Sequence, residues 1–518
     1  MARHFNTTGP CRPEMHYMLP PEARLPELLP LVEQEQYFVI HAARQTGKTT
    51  AARAFAERLR GLGYVAVWAT LETSQGIEDI ERAEPLWLQA IEEGGRVLPE
   101  AQRPPARQGW ATQAVGGRLS DYLRSWCARL PVPLVLLLDE ADVLSGDALI
   151  SFLRQLRAGF MDRGVGRFPV SVALVGMRDL RDYLTRAKDG VPVNPGSPFN
   201  IKSESITLRA FTRDEVATLY AQHTGETGQP FTEEAVDRAI YWSAGQPFLV
   251  NALAREAVGK LVSAPNLVTA GHIDQAKERL LRSRTTHLDA LGQRLKDARV
   301  APILRAMLLG DERINYESDD FDYCVDLGLV RRSPDGAEVA NPLYREVLAR
   351  QLSYNEQENL PSPWWKWQAA DGSIDMPALM EAFFEWWREN AEIAMEHNPV
   401  DYREAVPHLC MMAFLQRVVN GGGRIQREFA AGRGAVDLVV EYGGKRTVIE
   451  LKRVAPTHSS LETVRRKGLV QLQSYLDRLG ETEGWLLIFD QRAGLSWEQR
   501  LWTETVQVEG KTIWLRGG

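Results

Sequence analysis

Asp437, Glu450 and Lys452 lie in the segment VDLVVEYGGKRTVIELKR (Val436–Arg453), and their spacing sets an electrostatic problem. Gly443-Gly444 reads as a two-residue hairpin loop, a composition that suits the positive φ angles of a type I′ turn. The register that follows pairs Tyr442 with Lys445, Glu441 with Arg446, Val439 with Val448 and Asp437 with Glu450. Alternation along a strand puts Lys452 on the face of Glu450 and sends Leu438, Val440, Ile449 and Leu451 to the opposite, core-facing side. Two carboxylates then stand across the ladder from one another, beside an amine. Like charges so placed destabilise a hairpin. A divalent cation between them reverses the sign.

Far upstream, AARQTGKT (Ala42–Thr49) sits between a strand at Tyr37–His41 and a helix whose apolar face carries Ala52, Phe55, Ala56 and Leu59. It resembles the Walker A loop G-x-x-x-x-G-K-[ST], with Ala42 in place of the first glycine. The resemblance implies that ATP is held along Ala42, Ala43, Arg44, Gln45, Thr46, Gly47, Lys48, Thr49 and Thr50. Gly47 would let backbone N–H groups wrap the phosphates, Lys48 would reach the β- and γ-phosphates, and the Thr49 hydroxyl would ligate Mg2+. LVLLLDEAD (Leu134–Asp142) resembles Walker B, in which Asp139 would hold Mg2+ through water and Glu140 would orient the attacking water. The string D-E-A-D invites a helicase reading, but the sequence carries no second RecA-like domain. VSVALVGMRDLRDYL (Val170–Leu184) supplies a further strand. Its polar exit, Arg178, could sense the γ-phosphate; Arg181 and Arg186 are either fingers toward a neighbouring subunit or surface salt-bridge partners.

Helices then follow, with N-caps expected at Thr212 and Thr232, and only the first, with Glu215 three residues on, forms a capping box. GQPFL (Gly245–Leu249) resembles the lid motif of origin-recognition-like and signalling P-loop ATPases, which implies Pro247 beside the nucleotide. Residues 300–350 read helix, helix, hairpin, helix and look like the winged-helix module that follows the lid in that group. There Arg331 and Arg332 either touch DNA phosphate or are solvated. The Pro-rich stretch Asn355–Pro377 reads as a linker whose Trp364, Trp365 and Trp367 dock on a neighbour or stack on bases. In the helix after it, Leu379, Phe383, Trp386 and Trp387 form a core stripe.

Asp437, a gap, and Glu450-x-Lys452 match the signature of the PD-(D/E)XK nucleases. An amphipathic helix (Asp401–Asn420) carries Glu404, a strand with Arg427 and Glu428 precedes the hairpin, and Gln471-x-x-x-Tyr475 resembles the Q-x-x-x-Y element of RecB-like members. The resemblance implies that Asp437 and Glu450 bind Mg2+, or Mn2+, while Lys452 positions or activates water and steadies developing charge, with Glu404, Gln471 and Tyr475 completing the site. Lys445, Arg446, Arg453, Arg465, Arg466 and Lys467 form a basic cluster suited to a phosphodiester substrate. His408 and His458 read as structural.

Stepping outward, 518 residues suggest about three domains. With a net charge of -7, nucleic-acid contact must come from local patches. Cys11, Cys127, Cys324 and Cys410 form no CxxC pair and fit reduced thiols. The N-terminus lacks a signal-peptide apolar region, and VPLVLLL is far short of the ~18–20 residues of a membrane span, so a cytoplasmic protein is expected. The expected fold is α/β and multidomain. It comprises a P-loop AAA-type ATPase core (1–200), a helical lid (201–285), a winged-helix-like module (286–354), a linker (355–376) and a restriction-endonuclease-like α/β domain (377–518). As a whole the chain resembles AAA-type ATPases fused to a PD-(D/E)XK domain. That implies an ATP-regulated, Mg2+-dependent DNA nuclease, by analogy in defence against phage or mobile DNA, forming a homo-oligomer or answering a protein or nucleic-acid trigger. An ATP-switched DNA-binding or loading protein and a translocating repair nuclease stand as alternatives.

Overall fold

The unbroken apolar run Leu134–Leu138 belongs to a strand covered on both faces, which removes the need for alternation. The computed structural model that contains it describes residues 3–20, 24–110, 113–161, 167–177, 202–282, 291, 294–295, 297–308, 315–333, 336–352, 367, 369, 373–396, 410–411, 414–415, 424–431, 434–454, 460–492 and 494–518. The chain divides into two compact units, Met1–Ala290 with Asn315–Tyr344, and Leu291–Ile314 with Arg345–Gly518.

In the first unit, β1 (Tyr37–His41), β2 (Val65–Thr70), β3 (Leu134–Asp139), β4 (Ser171–Gly176) and β5 (Lys202–Thr207) form a parallel sheet in the order β2-β3-β4-β1-β5. Helices α1 (Leu28–Glu33) and α2 (Lys48–Gly61) cover the face that presents Phe38, Ile40, Val135 and Leu137. On the other face, α3 (Ile80–Gly94), α4 (Arg118–Arg129) and α5 (Gly146–Met161) cover Val39, Val67, Leu136 and Leu138. One polar network inside this second layer ties three helices together. Gln155 on α5 accepts from the N–H groups of Leu119 (2.9 Å) and Ser120 (3.2 Å) at the start of α4. Its amide donates to Glu84 of α3 at 2.9 Å, and Glu84 is wholly buried.

A helical bundle follows: α6 (Arg213–Thr227), α7 (Glu233–Ser243), α8 (Pro247–Glu256) and α9 (Ala270–Arg282). Thr212 and Glu215 form the expected capping box on α6, and Thr232 caps α7 by accepting from the Ala235 N–H. The N-terminal segment packs on this bundle through Phe5 and Tyr17, which contact Tyr220 and His223. Helix α10 (Ala301–Leu308) belongs to the second unit. In the first, α11 (Asp319–Asp326) leads into a hairpin, β6 (Val330–Ser333) and β7 (Gly336–Val339); α12 (Pro342–Leu352) follows and passes into the second unit at Arg345. The two arginines read as candidate phosphate contacts are engaged with acids, Arg331 with Glu338 at 2.9 Å and Arg332 with Asp322 at 2.6 Å.

The second unit holds α13 (Met376–Glu396), β8 (Arg424–Ala431), β9 (Gly434–Tyr442), β10 (Lys445–Val454), α14 (Leu461–Leu479), β11 (Glu483–Asp490), α15 (Trp497–Arg500), β12 (Trp502–Val508) and β13 (Lys511–Gly517). Its six-stranded mixed sheet has the order β12-β13-β11-β10-β9-β8. Leu379, Phe383, Trp386 and Trp387 of α13 pack on Leu438, Val440, Ile449 and Leu451, as their spacing predicts. Trp367 joins this same core, 5.3 Å from Phe414, and so is a packing residue of its own unit; Trp364 and Trp365 lie outside the described residues. One expectation needs correction. The face bearing the acids is also core, because α14 lays Leu472, Tyr475 and Leu476 over Val439 and Val448. Among the described residues no helix is long and apolar enough to cross a membrane.

Gln155→Leu removes the acceptor for two helix N–H groups and the donor to buried Glu84. Urea unfolding should show a loss of about 3 kcal/mol. A loss under about 1 kcal/mol would mean that water replaces the amide.

Candidate functional site

The turn from β1 into α2 runs through Gly47, whose φ of 92° lies in the left-handed region. Lys48 opens α2, and its ammonium donates to the carbonyls of Ala42 (2.7 Å) and Ala43 (2.8 Å). The Thr46 hydroxyl donates to Ala43 O at 2.8 Å, and Thr50 Oγ1 accepts from the Cys11 N–H at 3.1 Å. Arg44 and Gln45 are exposed at the loop's crest. Strand β4 separates β1 from β3, yet their carboxyl ends converge: the Thr49 hydroxyl donates to Asp139 Oδ2 at 2.7 Å. Asp139 is buried and accepts twice more, at Oδ2 from the Trp68 indole N–H (3.2 Å) and at Oδ1 from the Glu140 N–H (3.0 Å). Glu140 itself takes a left-handed φ of 56°. Burial raises its carboxyl above the ordinary range, with Asp142 and Asp139 adding to the effect and Lys48 opposing. Burial likewise lowers the Lys48 ammonium, against the pull of Asp142, Glu140 and Asp139. Pro247 is the buried first residue of α8, and Gln246 before it reaches Gln45 O at 3.5 Å.

In the second unit, Gly443 and Gly444 have φ of 56° and 79°, as a type I′ turn requires. The register runs as spaced, Lys445 with Tyr442, Arg446 with Glu441, Val448 with Val439, and ends at Ile449 with Leu438. Beyond that point the Asp437 side chain takes over, Oδ2 accepting from the Leu451 N–H at 2.7 Å. Glu450 is fully buried. Its Oε1 accepts from Lys452 Nζ at 2.5 Å, whereas Oε2 has no hydrogen-bond partner. Burial first and Asp437 second push the Glu450 carboxyl up to about 7, with Lys452 opposing. Helix α14 comes close here: a Cβ at Gly468 would stand 3.2 Å from Lys452 Cγ. One turn on, the Gln471 amide donates to Tyr475 Oη at 2.9 Å.

Residues 32–184 match the family model described as an AAA domain. The first unit contains an AAA-type P-loop ATPase domain. Solved structures to which the chain is similar include the Walker-type ATPase of Pyrococcus abyssi, 14% identical, with a TM-score of 0.49 over 66% of this chain and 99% of that one. The ORC1 protein of Aeropyrum pernix in complex with DNA is 16% identical, with a TM-score of 0.33 over 65% and 93%. The RuvB Holliday junction branch migration motor of Thermotoga maritima is 14% identical, with a TM-score of 0.34 over 63% and 92%. No curated protein sequence matches the chain.

Lys48, Thr49, Asp139 and Glu140 thus gather at one edge of the ATPase sheet, and Asp437, Glu450 and Lys452 gather on the hairpin. Arg178, Arg181, Arg186, Glu404, His408 and His458 lie outside the described residues, as do the side chains of Arg427 and Glu428. Among the described residues no group of three or more His, Cys, Asp or Glu is placed to hold a metal, so the hairpin offers two carboxylates. The basic cluster is thinner than its sequence. Arg446 pairs with Glu441 (3.3 Å) and Glu481 (3.6 Å), and Arg465 with Glu504 (2.5 Å); Arg466 and Lys467 are exposed on α14.

Sequence reasoning missed Trp68. Its one signal is a tryptophan near a strand end, whose indole N–H needs an acceptor. Arg53 lies over its ring at 3.9 Å, which fixes the indole plane toward Asp139. Trp68→Phe keeps the ring and deletes the donor. The Mg2+ concentration giving half-maximal ATP hydrolysis should rise by roughly tenfold. An unchanged Mg2+ dependence would mean that Thr49 and Glu140 hold Asp139 unaided.

Proposed function

We propose that the chain is an ATP-regulated, Mg2+-dependent DNA nuclease, with phosphodiester hydrolysis at the hairpin under the control of the AAA-type domain. One observation carries the reading: a fully buried carboxylate, Glu450, has one oxygen on Lys452 and the other without a partner, with Asp437 alongside. A buried anionic oxygen left unpaired is costly, and a divalent cation is the ligand that removes the cost. Asp437 and Glu450 would hold it, and a bound cation supplies Lewis-acid polarisation of the phosphate and an acidified water. Lys452, bound to Glu450 and close to α14 at Gly468, would stabilise developing negative charge. Gln471 and Tyr475, joined to each other, line the helix above. Exposed Arg466 and Lys467, with Lys445, offer phosphate contacts.

At the other site, Lys48 and the loop from Ala42 to Thr50 would hold ATP, Thr49 and Asp139 its Mg2+, and Glu140 the water, with Pro247 at the lid. The half-buried Lys48 rests on loop carbonyls, from which nucleotide phosphates would draw it. A role in defence against mobile DNA, and assembly into a homo-oligomer, belong to this reading by analogy.

A second reading, an ATP-switched DNA-binding or loading protein, is favoured by the Lys452–Glu450 pair itself, which offsets the buried charge without a metal. Cleavage of linear, supercoiled and single-stranded DNA with Mg2+ or Mn2+, with and without ATP, separates the two. Asp437→Ala and Glu450→Gln should each lower cleavage by roughly a hundredfold or more. Lys48→Ala should remove its ATP dependence. DNA binding that responds to ATP with no scission in any arm selects the second reading.

A further inference from the structure

Arg24 is a buried arginine that no motif of the nucleotide site includes. Its Nη1 and Nη2 both donate to the carbonyl of Thr46, each at 3.1 Å, inside the phosphate-binding loop. Its Nε donates to Arg209 O at 2.9 Å, just past the end of β5. Nη2 also contacts that carbonyl, and the guanidinium lies over the Phe211 ring at 4.8 Å.

The contact at Thr46 has a directional consequence. In a trans peptide the carbonyl and the following N–H point opposite ways. Holding Thr46 O on Arg24 therefore turns the Gly47 N–H away from Arg24, the sense that a phosphate cradle needs from its loop amides. The Cβ direction of Gly47 faces this group: a Cβ added there would stand 3.6 Å from Arg24 Nη1.

The contact at Arg209 leads to the lid. The Arg209 guanidinium donates to Glu215 (2.7 Å) in the first turn of α6, and the Phe211 N–H donates to Gly245 O at 2.8 Å. Gly245 has a φ of 75°, and a Cβ there would fall 2.1 Å from Phe211 O, so the approach admits glycine alone. The next residue, Gln246, caps α8 by accepting from the Leu249 N–H at 2.7 Å, and its own amide reaches back to Gln45 O at 3.5 Å. The circuit closes where it began, on the loop.

We infer that Arg24 is a positioning residue of the nucleotide site: it orients the Thr46–Gly47 peptide and joins the phosphate loop to the lid through Arg209, Phe211 and Gly245. The inference concerns the ATPase domain and stands whether or not the hairpin cleaves DNA. Lysine cannot reproduce a planar fork that serves two carbonyls.

The test is a double-mutant cycle on the full chain, with Arg24→Lys and Gly245→Ala read by titration of a fluorescent ATP analogue and by thermal melting without nucleotide. Each single variant should weaken analogue binding by roughly tenfold, and the pair should weaken it far less than the product of the two, because both break one circuit. The nucleotide-free melting of Arg24→Lys should stay near that of the parent. Wild-type affinity in Arg24→Lys overturns the inference, and so do effects that multiply. Loss of a folded transition in Arg24→Lys also overturns it, since the residue would then serve the core. Should Gly245→Ala not fold, Phe211→Leu takes its place in the cycle, with the same outcomes.

Discussion

Asp139 is a carboxylate almost wholly out of water at the carboxyl end of a sheet strand, and such a group has to be met by donors or cations. The nucleotide site is arranged around that demand. Three donors reach it from three elements: the Thr49 hydroxyl from α2, the Trp68 indole from β2 and the Glu140 N–H from the turn after β3. Each of those contacts fixes something else. The first registers the phosphate loop against the acid although β4 intervenes. The second ties the edge strand to the same oxygen. The third turns the chain left-handed at Glu140, which brings that carboxyl near Asp142 and Lys48. Because the donors at Asp139 are neutral, its negative charge is held in place without being cancelled, as a cation-binding carboxylate requires.

The hairpin of the second unit meets the same demand in another way. Glu450 is as buried as Asp139, but its bonded oxygen is met by an ammonium, and the other is bare. Asp437 makes this arrangement possible. It replaces a backbone acceptor at Leu451 just where the antiparallel register ends, so its carboxylate is anchored by the peptide of the neighbouring strand. Covering that face with α14 then sets the local dielectric. Leu472, Tyr475 and Leu476 bury Val439 and Val448 on this face, and burial is also the main cause that raises the Glu450 carboxyl.

Local features were legible in the sequence. A Gly-Gly turn determines a register, a strand–GKT–helix passage marks a phosphate loop, and Thr212 with Glu215 marks a helix start, because each depends on residues a few positions apart. What escaped depends on distant pairing. Arg24 meets Thr46 and Arg209, and Trp68 meets Asp139, across chain separations that no periodicity encodes. The basic cluster was overcounted for the same reason, since Arg465 finds Glu504 on a strand that its own helix does not announce. The second covered face of the hairpin was half visible in Val439 and Val448. Two acids on that face argued for a cation, and only the position of α14 shows that the same face is also packed.

The incomplete pairing of Glu450 is itself a balance of two costs. A buried carboxylate with neither oxygen met would cost the folded unit on the order of several kcal/mol. With both oxygens on ammonium or amide donors, an incoming cation would have to displace contacts as good as those it brings. Lys452 meets one oxygen and leaves the second bare. One met oxygen limits the cost of burying the carboxyl, and the bare Oε2 is where a divalent ion would offset the rest. A lysine two residues along the same strand is what allows both properties to coexist in a single hairpin.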